Sequence, residues 1–128
     1  MISKTTMGIK ISVAPYFQPA YSNPEENKFV FSYSITIENL SPGTVQLLRR
    51  HWVIVDANNL KREVEGEGVI GKQPILRAGE KHQYSSWCPI STPLGKMFGS
   101  YLMLKVETGE KFRVVVPEFQ LIAPFKLN

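Results

Sequence analysis

The chain has one cysteine, Cys88, so no disulfide can form within it and the common cysteine-ligated zinc sites are excluded. It has no apolar run long enough to span a bilayer, and Lys10 interrupts the N-terminal stretch before it could serve as the core of a signal peptide. A reduced, soluble, cytoplasmic protein without membrane association is the expectation. Only two histidines are present, His51 and His82. No long window keeps a helical period without a proline or glycine inside it. Charged residues are 20% and hydrophobic residues 43% of the 128, which excludes a charge-rich disordered chain. That length fits one domain over 1–128, with a core from about residue 8 to about residue 124.

What is abundant is alternation. From Phe29 to Glu38, Phe29, Phe31, Tyr33, Ile35 and Ile37 alternate with Val30, Ser32, Ser34, Thr36 and Glu38. A period of two in β-branched and aromatic residues predicts a long strand with one buried face. Further strands are expected over Gly8–Tyr16, 44–57, Leu60–Glu65, Gln83–Pro89, Met97–Glu107 and Lys111–Val116, with a short one at Phe119–Ile122. Ser41-Pro42-Gly43, Asn58-Asn59 and Thr108-Gly109-Glu110 read as turns. Seven or so short strands with regular turn signals predict an all-β antiparallel sandwich. Its core would draw on Phe29, Phe31, Tyr33, Ile35, Ile37, Trp52, Ile54, Leu102, Leu104, Val114 and Val116.

Gly66-Glu67-Gly68-Val69-Ile70-Gly71 matches G-x-G-x-x-G. In a dinucleotide-binding fold a helix would follow and present its N-terminus to the pyrophosphate. Here Lys72-Gln73-Pro74 follows, and Pro74 disfavours a helix. Two readings remain. One is a loop whose glycines serve backbone geometry. The other is a nest of N–H groups at Gly66, Gly68, Gly71 and Lys72 that holds a phosphate, nucleotide or pyrophosphate.

The remaining chemistry is sparse. Glu63, Glu65 and Glu67 would share one face of a strand, weak candidates for a Mg²⁺ or Co²⁺ site or a solvated edge. His82 and Cys88 are six residues apart, roughly 20 Å along a strand, so they form no nucleophile–base pair. No catalytic constellation is found, so no enzyme and no cofactor are expected. Lys and Arg total 15 against 11 acids, a net charge of +4. Arg49, Arg50, Lys61 and Arg62, less Asp56, give residues 49–62 a charge of +3, and residues 63–71 carry −3. This sign change within one hairpin is unlike a nucleic-acid stripe. It suits a mixed protein–protein surface centred on those four cations.

Gly-Glu-Gly-Val-Ile-Gly-Lys-Gln-Pro (66–74), Ala-Gly-Glu (78–80), Tyr84-Ser85-Ser86, the 92–101 segment Thr-Pro-Leu-Gly-Lys-Met-Phe-Gly-Ser-Tyr and Val116-Pro-Glu-Phe-Gln-Leu121 together resemble the ApaG family, from about Ile9 to Pro124. The resemblance implies an immunoglobulin-like or fibronectin type III-like sandwich in a small bacterial protein of poorly defined biochemical role. It implies an association, through the family name, with cobalt resistance and magnesium efflux. Related eukaryotic domains look like interaction modules. Ala78 stands where the family usually has Pro, and Trp87 where it usually has a small residue. The expected function is a non-enzymatic binding domain for a protein partner, acting through a sheet face or the loops around 58–72. The alternative is a small-ligand module built on the glycine-rich loop.

Overall fold

The computed structural model of the chain describes residues 1–124. Among the described residues nine strands run β1 (Ile2–Thr6), β2 (Ile9–Phe17), β3 (Phe29–Asn39), β4 (Val45–Asp56), β5 (Lys61–Glu67), β6 (Ile75–Leu76), β7 (Lys81–Ile90), β8 (Leu94–Lys105) and β9 (Lys111–Ile122). One sheet has the order β1-β2-β3-β7 and the other β5-β4-β8-β9, with β6 on the end of β4. Every pairing is antiparallel. The result is the expected all-β sandwich, consistent with the immunoglobulin-like and fibronectin-like type.

The alternation of β3 does what its pattern requires. Phe29, Phe31, Tyr33, Ile35 and Ile37 turn inward, with none more than 7% exposed. They meet Trp52 of β4 and Phe119 of β9 across the gap. Trp52 stands edge-on to Tyr33 at 5.5 Å, Phe119 at 6.0 Å and Tyr101 at 6.2 Å between ring centroids, the packing aromatic quadrupoles favour. Buried Asn39 is fully used. Its amide donates to the carbonyls of Gly43 and Leu76 and its oxygen accepts from Ser41.

Three expectations are corrected. Leu102 and Leu104 are half-buried on the outer face of β8, and Tyr101 and Met103 take the core positions. Tyr-Leu-Met-Leu is apolar on both faces, so alternation there does not say which is inside. Lys111–Val116 and Phe119–Ile122 are one strand, β9. The register between β8 and β9 slips between Met97 and Gly99, so Pro117 and Glu118 together face Phe98, and this bulge absorbs the missing proline N–H. Strands β1 and β6 were not foreseen; β1 is largely exposed and lacks an apolar face.

The sandwich is closed on one side. β1 and β2 lie against β9, and the Val115 N–H donates to Thr6 Oγ1 at 3.4 Å. β5 and β7 form the edges of the opposite side. The Arg77–Glu80 turn, with Ala78 in place of proline, is held by the Glu80 N–H on the Arg77 carbonyl at 3.0 Å and the Arg77 N–H on Glu80 Oε1 at 2.7 Å.

Candidate interaction surface and glycine-rich loop

The glycine-rich segment is stitched to β4. A bulge between Leu47 and Arg49 shifts the phase of β4, so Leu47 points inward before it and Arg50, Trp52 and Ile54 after it. The Leu48 carbonyl accepts the Gly68 N–H and the Gln73 amide, each at 2.9 Å. Val69 and Lys72 exchange both backbone hydrogen bonds, at 2.8 and 3.0 Å. Between them Ile70 (φ 47°) and Gly71 (φ 72°) both lie in the left-handed region, the form of a two-residue hairpin turn. Gly68 (φ 63°) is required twice over, since a Cβ there would stand 2.1 Å from the Lys72 carbonyl oxygen. The N–H groups of Gly68, Val69 and Lys72 are therefore spent inside the fold.

Arg50 lies beneath this loop. Its Nη1 donates to the carbonyls of Glu67 and Gly68 at 3.0 Å each, and the absent Gly66 side chain leaves room for the guanidinium. Among the described residues no carboxylate pairs with Arg50, Arg62 or Lys72. Beside Arg50 the Tyr84 and Tyr101 hydroxyls bond to each other at 2.5 Å across the two sheets. Burial raises the pKa of both phenols and of Tyr33, with Arg50 opposing the rise.

The four cations grouped by sequence do not form one patch. Cross-strand partners share a face. Arg49, opposite Glu67, points outward with His51, opposite Glu65, and Val53, opposite Glu63. Arg62, opposite Ile54, and Arg50, opposite Gly66, point inward, towards the seam between β5 and β7. Arg62 Nη2 donates to the Pro89 carbonyl at 2.9 Å and touches Cys88 Sγ at 3.6 Å. Lys61 and Arg62 line a cleft of about 340 Å³ with Lys28, Asp56 and Leu60. The pleat thus turns Arg50 and Arg62 into the seam and leaves Arg49 and Lys61 on the outer face with Glu63, Glu65 and Glu67.

On the outer face, His51 Nε2 lies 3.7 Å from carboxylate oxygens of both Glu63 and Glu65. Among the described residues no three or more His, Cys, Asp or Glu side chains converge as a metal site would need. Glu67 lies opposite Arg49 instead. Cys88 is buried, and burial raises its thiol pKa while Arg62 pulls the other way.

The outer face of the first sheet is the feature sequence reasoning missed. Register places Tyr16, Ser32 and Trp87 in one row, Ala14, Ser34 and Ser85 in the next, and Ser12, Thr36 and Gln83 in a third. These rows carry no charge. Trp87 is 53% exposed and takes the ring of Tyr21 edge-on at 5.3 Å, while Tyr16 is 55% exposed. The signal was present in the polar phase of the β2 and β3 alternation, which over Ser12–Tyr16 and Ser32–Thr36 holds only hydroxyl side chains and Ala14.

No helix among the described residues is long and apolar enough to cross a membrane. Residues 19–105 match the ApaG domain family. A Protein ApaG from Brucella abortus (strain S19) is 48% identical over 124 residues, covering 97% of this chain and 95% of that one. A Protein ApaG from Paramagnetospirillum magneticum is 45% identical over the same shares. The crystal structure of a putative ApaA protein from Bordetella pertussis superposes with a TM-score of 0.88 at 39% identity, covering 92% of this chain and 95% of that one. A second X-ray structure gives 0.86 at 39% identity, covering 94% and 90%. The chain belongs to the ApaG family.

Proposed function

We propose that this domain works by binding a protein partner rather than by catalysis. The observation that carries the reading is the hydroxyl-rich outer face of β2, β3 and β7, uncharged from the Tyr16 row to the Ser12 row and bordered by Lys10, Glu38 and Lys81, with Tyr16, Tyr21 and Trp87 exposed along one end. Interface cores are depleted in charge and enriched in Tyr and Trp, and Ser with Tyr makes an adaptable, low-entropy contact surface. A large indole held half in water by a neighbouring ring costs solvation that a partner would recover. The buried, protonated Cys88 thiol supports a structural role for that group. The mixed outer face of β4 and β5, with Arg49 and Lys61 beside Glu63, Glu65 and Glu67, supports a protein partner over nucleic acid, and the lone thiol a reducing, cytoplasmic setting. On this reading an association with cobalt and magnesium would enter through the partner.

The test is affinity capture from a lysate of the source organism with the wild-type chain and with the Tyr16→Ala, Trp87→Ala double variant. A partner held by the first and lost by the folded second is the expected result. Equal capture by both removes this face from the reading.

A second reading keeps the Gly66–Lys72 loop as a phosphate or nucleotide seat. It draws on the Arg50 guanidinium, which no carboxylate meets among the described residues, and on Lys72 more than on backbone N–H groups, three of which are engaged. Titrating pyrophosphate and ATP into ¹⁵N-labelled protein tests it. Shifts at 66–72 and at Arg50 Nε support it, and an unmoved loop at millimolar ligand ends it.

A further inference from the structure

The sandwich has four strand edges and treats them differently. The β9 edge is covered by β1, through Thr6 and Val115. The β1 edge belongs to a five-residue strand, and short strands are poor templates. The β5 edge carries Lys61, Arg62, Glu63, Glu65 and Glu67, the charges that natural sheets use to block edge pairing. The β7 edge has none of these devices over most of its ten residues. From His82 to Cys88 it reads His-Gln-Tyr-Ser-Ser-Trp-Cys, with Lys81 and Pro89 at the ends.

Which backbone groups point outward follows from the neighbouring strand. The Val30 N–H donates to Ser22 Oγ and its carbonyl accepts the Gln18 N–H, so both point away from β7. Val30 lies opposite Pro89. Antiparallel pairs alternate between bonded and non-bonded, so Phe31–Cys88, Tyr33–Ser86 and Ile35–Tyr84 exchange hydrogen bonds, and Pro89, Trp87, Ser85 and Gln83 direct theirs outward. The Pro89 carbonyl is capped by Arg62 at 2.9 Å, as that direction requires. Among the described residues no strand pairs β7 on this side.

A strand added here would send every second side chain into the seam facing β5. That seam presents Arg62 at one end, half-buried Val64 in the middle, and at Gly66 the guanidinium of Arg50, with Lys72 beyond. Lys72 is near enough to His82 to help lower its pKa. The acids of β5 all face the other way. From Arg62 to Gly66 is four residues, about 13 Å along a strand. Two acids at positions i and i+4 of the incoming strand would match these cations, with an apolar residue at i+2 against Val64.

Resting on the interaction reading above, we propose that the β7 edge is a strand-addition site for an extended partner segment with acidic side chains at i and i+4 around an apolar i+2. Main-chain bonds to Gln83, Ser85 and Trp87 give affinity, and the seam cations give sequence preference. A second copy of this chain is a poorer occupant. Two β7 edges paired about Ser85 would set Lys81 beside Pro89 of the other copy and so beside its Arg62, two cations together.

The experiment uses the intact ¹⁵N-labelled chain and three capped heptapeptides. These are Thr-Glu-Thr-Val-Thr-Glu-Thr, the same peptide with Lys for Glu, and the Glu peptide N-methylated at alternate residues, prepared in both phases. The expected result is saturable shifts of the Gln83, Ser85 and Trp87 amides with the Glu peptide, and affinity at least about tenfold weaker for the Lys peptide and for one methylated phase. Equal binding of both methylated peptides overturns strand addition, and equal binding of the Lys peptide overturns the acidic preference. Concentration-dependent shifts at those amides without peptide, with a dimer by sedimentation, assign the edge to a second copy and overturn the proposal. If the amides stay unmoved while Tyr16→Ala, Trp87→Ala still loses a captured partner, strand addition fails and the interaction reading stands.

Discussion

At the scale of single residues the glycine-rich loop contains an oddity. Ile70, β-branched and 59% exposed, sits at φ 47°, a conformation that costs an L-residue about 1–2 kcal/mol. Asn-Gly is the favoured pair for such a turn. Ile70→Asn should therefore raise stability by about 1 kcal/mol in urea denaturation, since the exposed isoleucine contributes little to the core. The Tyr84–Tyr101 hydroxyl pair gives the opposite expectation. Tyr101 is fully buried, so Tyr84→Phe strands its hydroxyl and should cost about 1–3 kcal/mol, whereas the double change to Phe should cost less than the two single changes together. His82 supplies a pH term. Burial first and Lys72 second hold its pKa below 6.5, so the unfolded chain binds its proton more readily than the folded one. Stability should fall as pH drops through about 6.5 and level off once the folded His82 is protonated too. The effect is small at so open a site. Thermal melts of His82→Gln should show a flatter profile over that window.

At the scale of elements, β7 carries a prediction that checks its place in the sheet. Amide exchange should alternate along it. His82, Tyr84, Ser86 and Cys88 bond to β3 and should be slow, while Gln83, Ser85 and Trp87 point outward and should exchange orders of magnitude faster. Uniform protection would mean that the strand is already covered. The same strand shows what was legible in the sequence. β3 could be read nearly to the residue because Phe29–Ile37 buries one phase fully and leaves Ser32, Ser34 and Thr36 of the other half-buried. β8 could not, because its 101–104 segment is apolar in both phases and only the structure shows that Tyr101 and Met103 go in. The inward turn of Arg50 was hidden for another reason. It depends on a one-residue bulge at Leu47–Arg49, and a bulge leaves no composition signal. The G-x-G-x-x-G spacing was visible at once, but its cause lay in distances to Arg50 and to the Lys72 carbonyl that spacing does not encode. The charge patches were visible as runs, but that Arg50 and Arg62 leave them for the inner seam followed only once strand phase was fixed.

At the scale of the molecule, the distribution of edges decides how the chain meets others of its kind. One side is sealed where β1 and β2 lie on β9, and the other is left to β5 and β7. β1 does little for the core, since four of its five residues are exposed. Its service is to occupy the β2 edge and to satisfy the Val115 N–H. Removing residues 1–7 should then leave the core intact, because Ile9, Ile11 and Val13 of β2 remain buried between the sheets. It would also uncover a nine-residue edge with buried alternate positions beside the uncapped β9. Circular dichroism should report a folded sandwich with a lower melting temperature, and sedimentation should report association that rises with concentration, as an exposed edge demands. A truncated chain that stays monomeric would show that β2 and β9 are protected by their own side chains. The net positive charge, +4 in the whole chain and one less without Lys4, would then be the first suspect, since long-range repulsion can keep edges apart, and raising the salt should restore association if it is responsible.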